Sequence, residues 1–257
     1  FTIVILSAAA AVDTSGWRSV WGVIGYGILV VSVLAILFLR RDPESLNLPV
    51  DGVAAASVEE EADRYNVISK TFSGAMRHPA FWGFAVGSAA YNLVISGVTL
   101  LNESILAELG FGDSFEYAMG AYAFFGLIGN IMADKLTRRF GLRRLMAVAM
   151  LLVGIALAVY PLLDSLALII AHGALLGLAG GVVMVVFFAS FGTYFGRQHL
   201  GKIQGAAQVL AVLASASGPW IMSASIDAYS SYAPVFYALT PVMLVCAIYA
   251  WWMPEAD

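Results

Sequence analysis

Long apolar runs separated by short polar stretches organise this chain: 20–39, 80–101, 116–133, 145–163, 166–195, 205–225 and 233–253. Each approaches or exceeds the roughly 20 residues that a helix needs to cross about 30 Å of hydrocarbon, so seven membrane-spanning helices are predicted. Strand barrels are the other way to satisfy every backbone group in lipid, but they need alternating segments of about ten residues, and these runs do not alternate. The opening FTIVILSAAAAV lacks a basic leader and reads as part of a further span rather than as a signal peptide. The predicted fold class is an all-α integral membrane protein.

Polar residues inside the runs are few and patterned. Ser88, Asn92, Ser96, Thr99 and then Glu103 recur at i, i+4, i+8, i+11 and i+15, with Tyr91 beside them. At about 100° per residue they fall within an arc of roughly 80°. Such a stripe should face neighbouring helices or a water-filled path, because polar groups are costly against lipid; taken singly, each Ser or Thr also serves as helix–helix glue. Tyr91, Asn92, Ser96 and Thr99 are therefore candidate solute-path residues, and Glu103 is a candidate ion-coupling carboxylate. Gln208 and Ser215 share a side of 205–225, while Tyr122 and Asn130 share a side of 116–133 with Gly126 and Gly129; these four polar residues are second candidates for the path. Gly173, Gly177 and Gly181 form a small-xxx-small ladder, with Gly180 adjoining, and Gly83 with Gly87 repeats the motif, which predicts close helix packing. His172 lies on the flank of that ladder and is open to two readings, structural hydrogen bonding or ion coupling.

Composition agrees with this pattern and narrows it. The chain is 61% hydrophobic and only 12% charged, with a mean hydropathy of +0.86, whereas soluble domains carry about 25% charged residues. When the spans are threaded in order, every Lys and Arg except Arg18 falls on one side: Arg40, Arg41, Arg64, Lys70 and Arg77 in one loop, Lys135 to Arg144 in the next, then Arg197 and Lys202. The bias of Lys and Arg predicts that these loops and the PEAD tail are cytoplasmic. The tryptophans lie mostly near span ends, as interfacial anchors do. Within the longest loop, residues 42–63 read as a solvated Pro- and acid-rich connector, and the stretch before Pro79 as a short helix on the membrane surface.

Several chemistries find no residues here. HExxH, GxSxG, a P-loop and a Cys/His cluster are all missing from the sequence, so no catalytic constellation, cofactor or metal is predicted, and an enzyme is not expected. No lysine lies in any predicted span, which excludes a retinal Schiff base. The expected partners are a small-molecule substrate and the lipid bilayer, with no nucleic acid.

The stretch GNIMADKLTRRFGLRRLM, residues 129–146, stands apart because it sets one acid among five bases. Asp134 is predicted at the C-terminal end of its helix, where the macrodipole disfavours a carboxylate, so it calls for a compensating partner, either Lys135, Arg138 and Arg139 beside it or the positive N-terminus of another helix. Here the sequence resembles the major facilitator superfamily, whose loop signature is matched by Gly129, Asp134, Lys135, Gly141, Arg143 and Arg144. It departs from that signature in having Asn130 in place of a glycine and in the inserted LTRRF, which carries Arg138 and Arg139 and predicts one extra helical turn. GWR at 16–18, AMRHPAFW at 75–82 and YFGRQHLGKIQG at 194–205 are similar to the monocarboxylate-porter-like and oxalate/formate-antiporter-like branch.

The resemblance implies a twelve-helix fold. In that register residues 1–39 are the end of an N-terminal bundle, 40–79 the cytoplasmic central loop, and 80–257 the six-helix C-terminal bundle, with the N-terminal half as the missing partner. It further implies a secondary transporter that moves a small organic solute by alternating access in a plasma membrane, a bacterial inner membrane in particular, with the C-terminus cytoplasmic and coupling to an ion or to antiport. Carboxylates are among the candidate cargoes, although no basic residue lies within 116–133 or 205–225, where anion-carrying relatives often have one. Asp134 is implied to dock near 201–205 as a cytoplasmic latch, with Lys135, Arg138, Arg139, Arg143 and Arg144 around it. The alternative is a transporter-like sensor or receptor, or a truncated product without transport of its own.

Overall fold

The computed structural model describes residues 11, 14, 16–38 and 70–255, and the chain divides into two units, Phe1–Val67 and Ile68–Asp257. In the first unit, α1 (Trp17–Phe38) is a 22-residue apolar helix. The rest of the 40–79 loop up to residue 69, and the partial span at 1–10, lie outside the described residues.

The second unit is helical throughout. A short α2 (Phe72–Arg77) is capped by the Thr71 hydroxyl, which accepts from the Gly74 amide at 3.2 Å. Pro79 then opens α3 (Pro79–Leu100), and the imidazole of His78 accepts from the Ala80 amide at 3.2 Å. This pairing follows helix-start chemistry, since proline is tolerated where its missing N–H has no helical acceptor. After α3 come α4 (Asn102–Glu108), α5 (Phe115–Phe140), α6 (Leu142–Val159), α7 (Leu166–Phe195), α8 (Leu200–Tyr229) and α9 (Ala233–Trp252).

Among the described residues six helices are long and apolar enough to cross a membrane: α1, α3, α6 with the turn after it, α7, α8 and α9. The seventh predicted span, 116–133, falls outside that set. Glu116, Tyr117, Tyr122 and Asn130 dilute its apolar character. It nevertheless forms the front of the 26-residue α5, which lies against α7 from Ala118, beside Gly173, to Asn130, beside Gly181. That packing puts α5 in the same layer as an apolar span.

Contacts between the helices give their directions. Ala118 meets Gly173 and Gly129 meets Leu178, so α5 and α7 run parallel. Leu93 meets Gly218 and Gly97 meets Met222, so α3 and α8 run parallel. Arg143 meets Met253 and Gly154 meets Met243, so α6 and α9 are antiparallel. At one end the Lys70 amide donates to the Phe195 carbonyl, and at the other Tyr160 donates to Ile105 and Ser104 pairs with the Tyr232 hydroxyl. All Lys and Arg residues among 70–255 gather at or near the first end, and Glu103, Glu108, Asp113, Glu116, Asp164 and Asp227 at or near the second. The alternate-side sorting of bases predicted from the loops is thus present in the folded bundle.

The glycine ladder does what its spacing predicts. Methyl groups at Gly173, Gly177 or Gly181 would meet backbone atoms of Ala118, Tyr122, Gly126, Gly129 and Asn130, so the two helices touch backbone to backbone. Gly83 and Gly87 instead make room for side chains, those of Tyr249 and Met253 at Gly83 and of Met146 at Gly87.

Candidate functional site

A cavity of about 320 Å³ opens among α3, α5, α7 and α8, in the middle of α3 and α7. Its polar lining is Ser88, Tyr91, Asn92, Tyr122 and Gln208; the apolar walls come from Ile95, Val183, Met184, Phe187, Phe188 and Ala211, with Gly180 between them. Tyr91 is buried, and its hydroxyl lies 3.1 Å from that of Tyr122. Gly180 makes room for this pair, since a methyl there would collide with the Tyr91 oxygen. The Asn92 amide donates to the Ser88 carbonyl at 2.8 Å. The Ser88 hydroxyl is buried at 1% exposure and has no hydrogen-bond partner in the protein. No lining residue is Asp, Glu, Lys, Arg or His.

Towards the basic end the seam between α3 and α7 is filled with rings. Phe187, at the cavity wall, packs edge-on to Phe191 at 5.4 Å between centroids, and Phe191 continues to Phe81, Phe84 and Phe195. Phe81, Phe84, Phe191 and Phe195 are fully buried. This stack separates the chamber from the basic end along that seam.

The structure brings four of the predicted path residues, Tyr91, Asn92, Tyr122 and Gln208, to this cavity. The others lie elsewhere. Ser96 donates to the Ser215 carbonyl at 2.8 Å, so that pair joins α3 to α8, and Thr99 bonds back to Ile95 at 2.7 Å. Asn130 reaches the cavity only through the sulfur of Met184, at 3.9 Å. Glu103 is off the stripe, because α3 ends at Leu100 and the carboxylate sits exposed on the separate helix α4. His172 lines a second, smaller cavity with Asn102. The α7 side chains Val183, Met184, Phe187 and Phe188 carried no signal in the sequence, since an apolar residue facing a chamber looks the same as one facing lipid.

The loop segment 129–144 is resolved into distinct parts. Gly129 lies against Leu178, where a side chain would strike backbone. The helix does not stop at Asp134: α5 runs on through LTRRF to Phe140, as the extra turn predicted, and ends at Gly141 with φ +80°. Asp134 is therefore more than a turn from the negative end, where the dipole effect has faded, and the expected unfavourable placement is corrected. Its ion pair is with Arg138, one turn on, at 3.6 Å with both side chains exposed. The docking of Asp134 at 201–205 is not realised in this conformation, because α5 and α8 share no extended contact. Arg143 instead donates to the Met253 carbonyl at 2.8 Å and pairs with Glu255, tying the C-terminal segment to the start of α6. Arg144 lies over the Trp251 ring at 6.0 Å and Arg139 over Phe140 at 5.4 Å, and Lys135 is exposed.

Membrane-length helices packed around a cavity with polar and apolar walls define an integral membrane protein of the helical-bundle class. The family model of the Major Facilitator Superfamily matches residues 98–257, more than half of the 257-residue chain, and the chain belongs to that superfamily. It is accordingly a membrane transporter. No curated protein matches the chain. The family match begins at the end of α3, yet α3 supplies Ser88, Tyr91 and Asn92 to the chamber.

Proposed function

We propose that the chain is the cavity-forming bundle of a secondary transporter that moves a small organic solute by alternating access. The observation that carries this reading is the chamber among α3, α5, α7 and α8, with hydrogen-bonding groups at mid-span and an aromatic stack on its basic side. Tyr91, Asn92, Tyr122 and Gln208 hold the polar part of the solute, and Phe187, Phe188 and Ile95 its apolar part. A second bundle, as the twelve-helix arrangement implies, completes the chamber and rocks against this one. The lining given by this bundle is neutral, so any charge on a carboxylate cargo of the kind carried by the resembling branch is met by groups outside it. The end bearing the bases faces the cytoplasm of a plasma membrane.

The test is uptake by the full-length protein in proteoliposomes, over a panel of radiolabelled monocarboxylates, dicarboxylates and neutral amphipathic solutes. One class should be accumulated. Tyr91→Phe and Gln208→Ala should then lower its uptake while leaving the melting temperature within a few degrees of wild type. Solute binding with no flux would favour a sensor, and unchanged uptake in both variants would show that this chamber is not the solute site.

A further inference from the structure

A third cavity, of about 420 Å³, lies between α3 and α9. Its walls are two i, i+4 ridges, Trp82 and Val86 on α3 and Val245 and Tyr249 on α9, and all four side chains are exposed. Gly83 and Gly87 form the floor on the α3 side, where the two helices touch, since a methyl at Gly83 would meet Tyr249 and Met253. Ridges at this spacing follow the helix axes, so the cavity is a slot that runs in the membrane-crossing direction. Trp82 is in the first turn of α3 and Tyr249 in the last turn of α9, so both rings stand at the basic end of the slot. Tryptophan and tyrosine favour the depth where hydrocarbon gives way to lipid headgroups.

The lining selects the occupant. Its two strong side-chain donors are already spent on backbone: Nε1 of Trp82 donates to the Met76 carbonyl at 2.9 Å, and the Tyr249 hydroxyl to the Pro79 carbonyl at 3.1 Å. The other lining side chains are apolar, apart from the weakly polar thiol of Cys246. A polar solute would leave its water here for little return, whereas hydrocarbon gives up nothing. The basic end adds a charge. Met76, which holds the Trp82 indole, is followed by Arg77, which is exposed and makes no ion pair with another described residue. A hydrocarbon chain joined to a negative group matches a dry slot that ends beside a guanidinium, at the end where the Lys and Arg residues gather. We propose that this slot seats one acyl chain of an anionic phospholipid from the leaflet at the basic end, with the headgroup phosphate at Arg77. The site rests on the membrane class of the protein and stands whether or not the central chamber carries a solute.

The test is photolabelling of the full-length protein in phosphatidylcholine proteoliposomes that contain a trace of phosphatidylglycerol with a diazirine midway along one chain, the adducts being mapped by peptide mass spectrometry. Adducts should concentrate on 82–87 and 245–249. The exposed α6 residues Val148, Leu151 and Ile155 report unselective contact with lipid and should carry fewer. Unlabelled phosphatidylglycerol should displace the slot adducts, and an equal amount of added phosphatidylcholine should not. Arg77→Gln should weaken that preference about fivefold, the effect of one base beside an anionic headgroup. Val245→Trp, at an exposed position, should fill the slot and remove its adducts while those on α6 persist. Adducts as dense on α6 as in the slot overturn the proposal in wild type alone, and so does equal displacement by the two lipids. Slot adducts that survive Val245→Trp overturn it as well. A wild-type slot with no adducts, as a second copy or another segment of the chain seated there would leave it, does the same.

Discussion

Replacing Gly177 by alanine should loosen the α5–α7 pair, and the structure sets the scale. The added methyl would stand 3.0 Å from the Gly126 nitrogen and 3.0 Å from the Tyr122 carbonyl carbon, with the Tyr122 oxygen nearer still. Comfortable carbon contacts lie at about 3.5–4.0 Å, and every atom in the way is backbone, so no side chain can swing aside. The helices must part by about 1 Å or more, and overpacking of this kind costs about 1–3 kcal/mol. In lipid, close packing is what holds helices together, so parting them sacrifices contacts along the whole ladder. For a chain of this size each kcal/mol lowers the melting point by about 2–4 °C. Cys246, the single cysteine and half-buried in α9, is a built-in reporter: a thiol-reactive dye follows its exposure on heating. Gly177→Ala should melt several degrees below wild type, and adding Gly181→Ala should cost less than the sum, because one separation relieves both clashes. Gly120→Ala on α5 is the control, since nothing lies within 4 Å of its added carbon. A Gly177→Ala protein that melts with wild type would refute backbone contact as the basis of the packing.

Three further outcomes are expected. Asp134→Asn removes an exposed one-turn ion pair worth about 0.3–0.5 kcal/mol, so the melting point should hold; a fall in solute uptake at unchanged stability would mark the residue as a latch, and unchanged uptake would end that reading. Arg143→Ala removes the bond to Met253 and the pair with Glu255; a charged hydrogen bond is worth about 1.5–3 kcal/mol, and amide hydrogen exchange at 252–255 should rise above wild type. Glu108 accepts from the Ser231 hydroxyl at 2.6 Å and the Tyr232 amide at 2.9 Å, bracing the left-handed turn at Ser230. Glu108→Ala should raise amide hydrogen exchange at 229–233 and leave the basic end unchanged.

The sequence by itself determined the all-helical membrane class, the two ends of the bundle and the close approach at the glycine ladder. These are legible because the bilayer imposes a length on each span, a positional bias on Lys and Arg, and a premium on small residues where helices meet. Tyr91, Asn92, Tyr122 and Gln208, which line the central chamber, could be singled out for the same reason, since a polar side chain at mid-span needs a partner or water. What a polar residue does with that need was decided only by tertiary structure. The Ser96 hydroxyl went to the Ser215 backbone carbonyl across α3 and α8, Glu103 left the stripe when α3 ended at Leu100, and of the partners open to Asp134 it was Arg138 that paired, on a helix that ran on to Phe140. The apolar half of the chamber belongs wholly to the folded state. Periodicity says which residues share a face, whereas the helix placed opposite determines whether that face meets backbone, water or a solute.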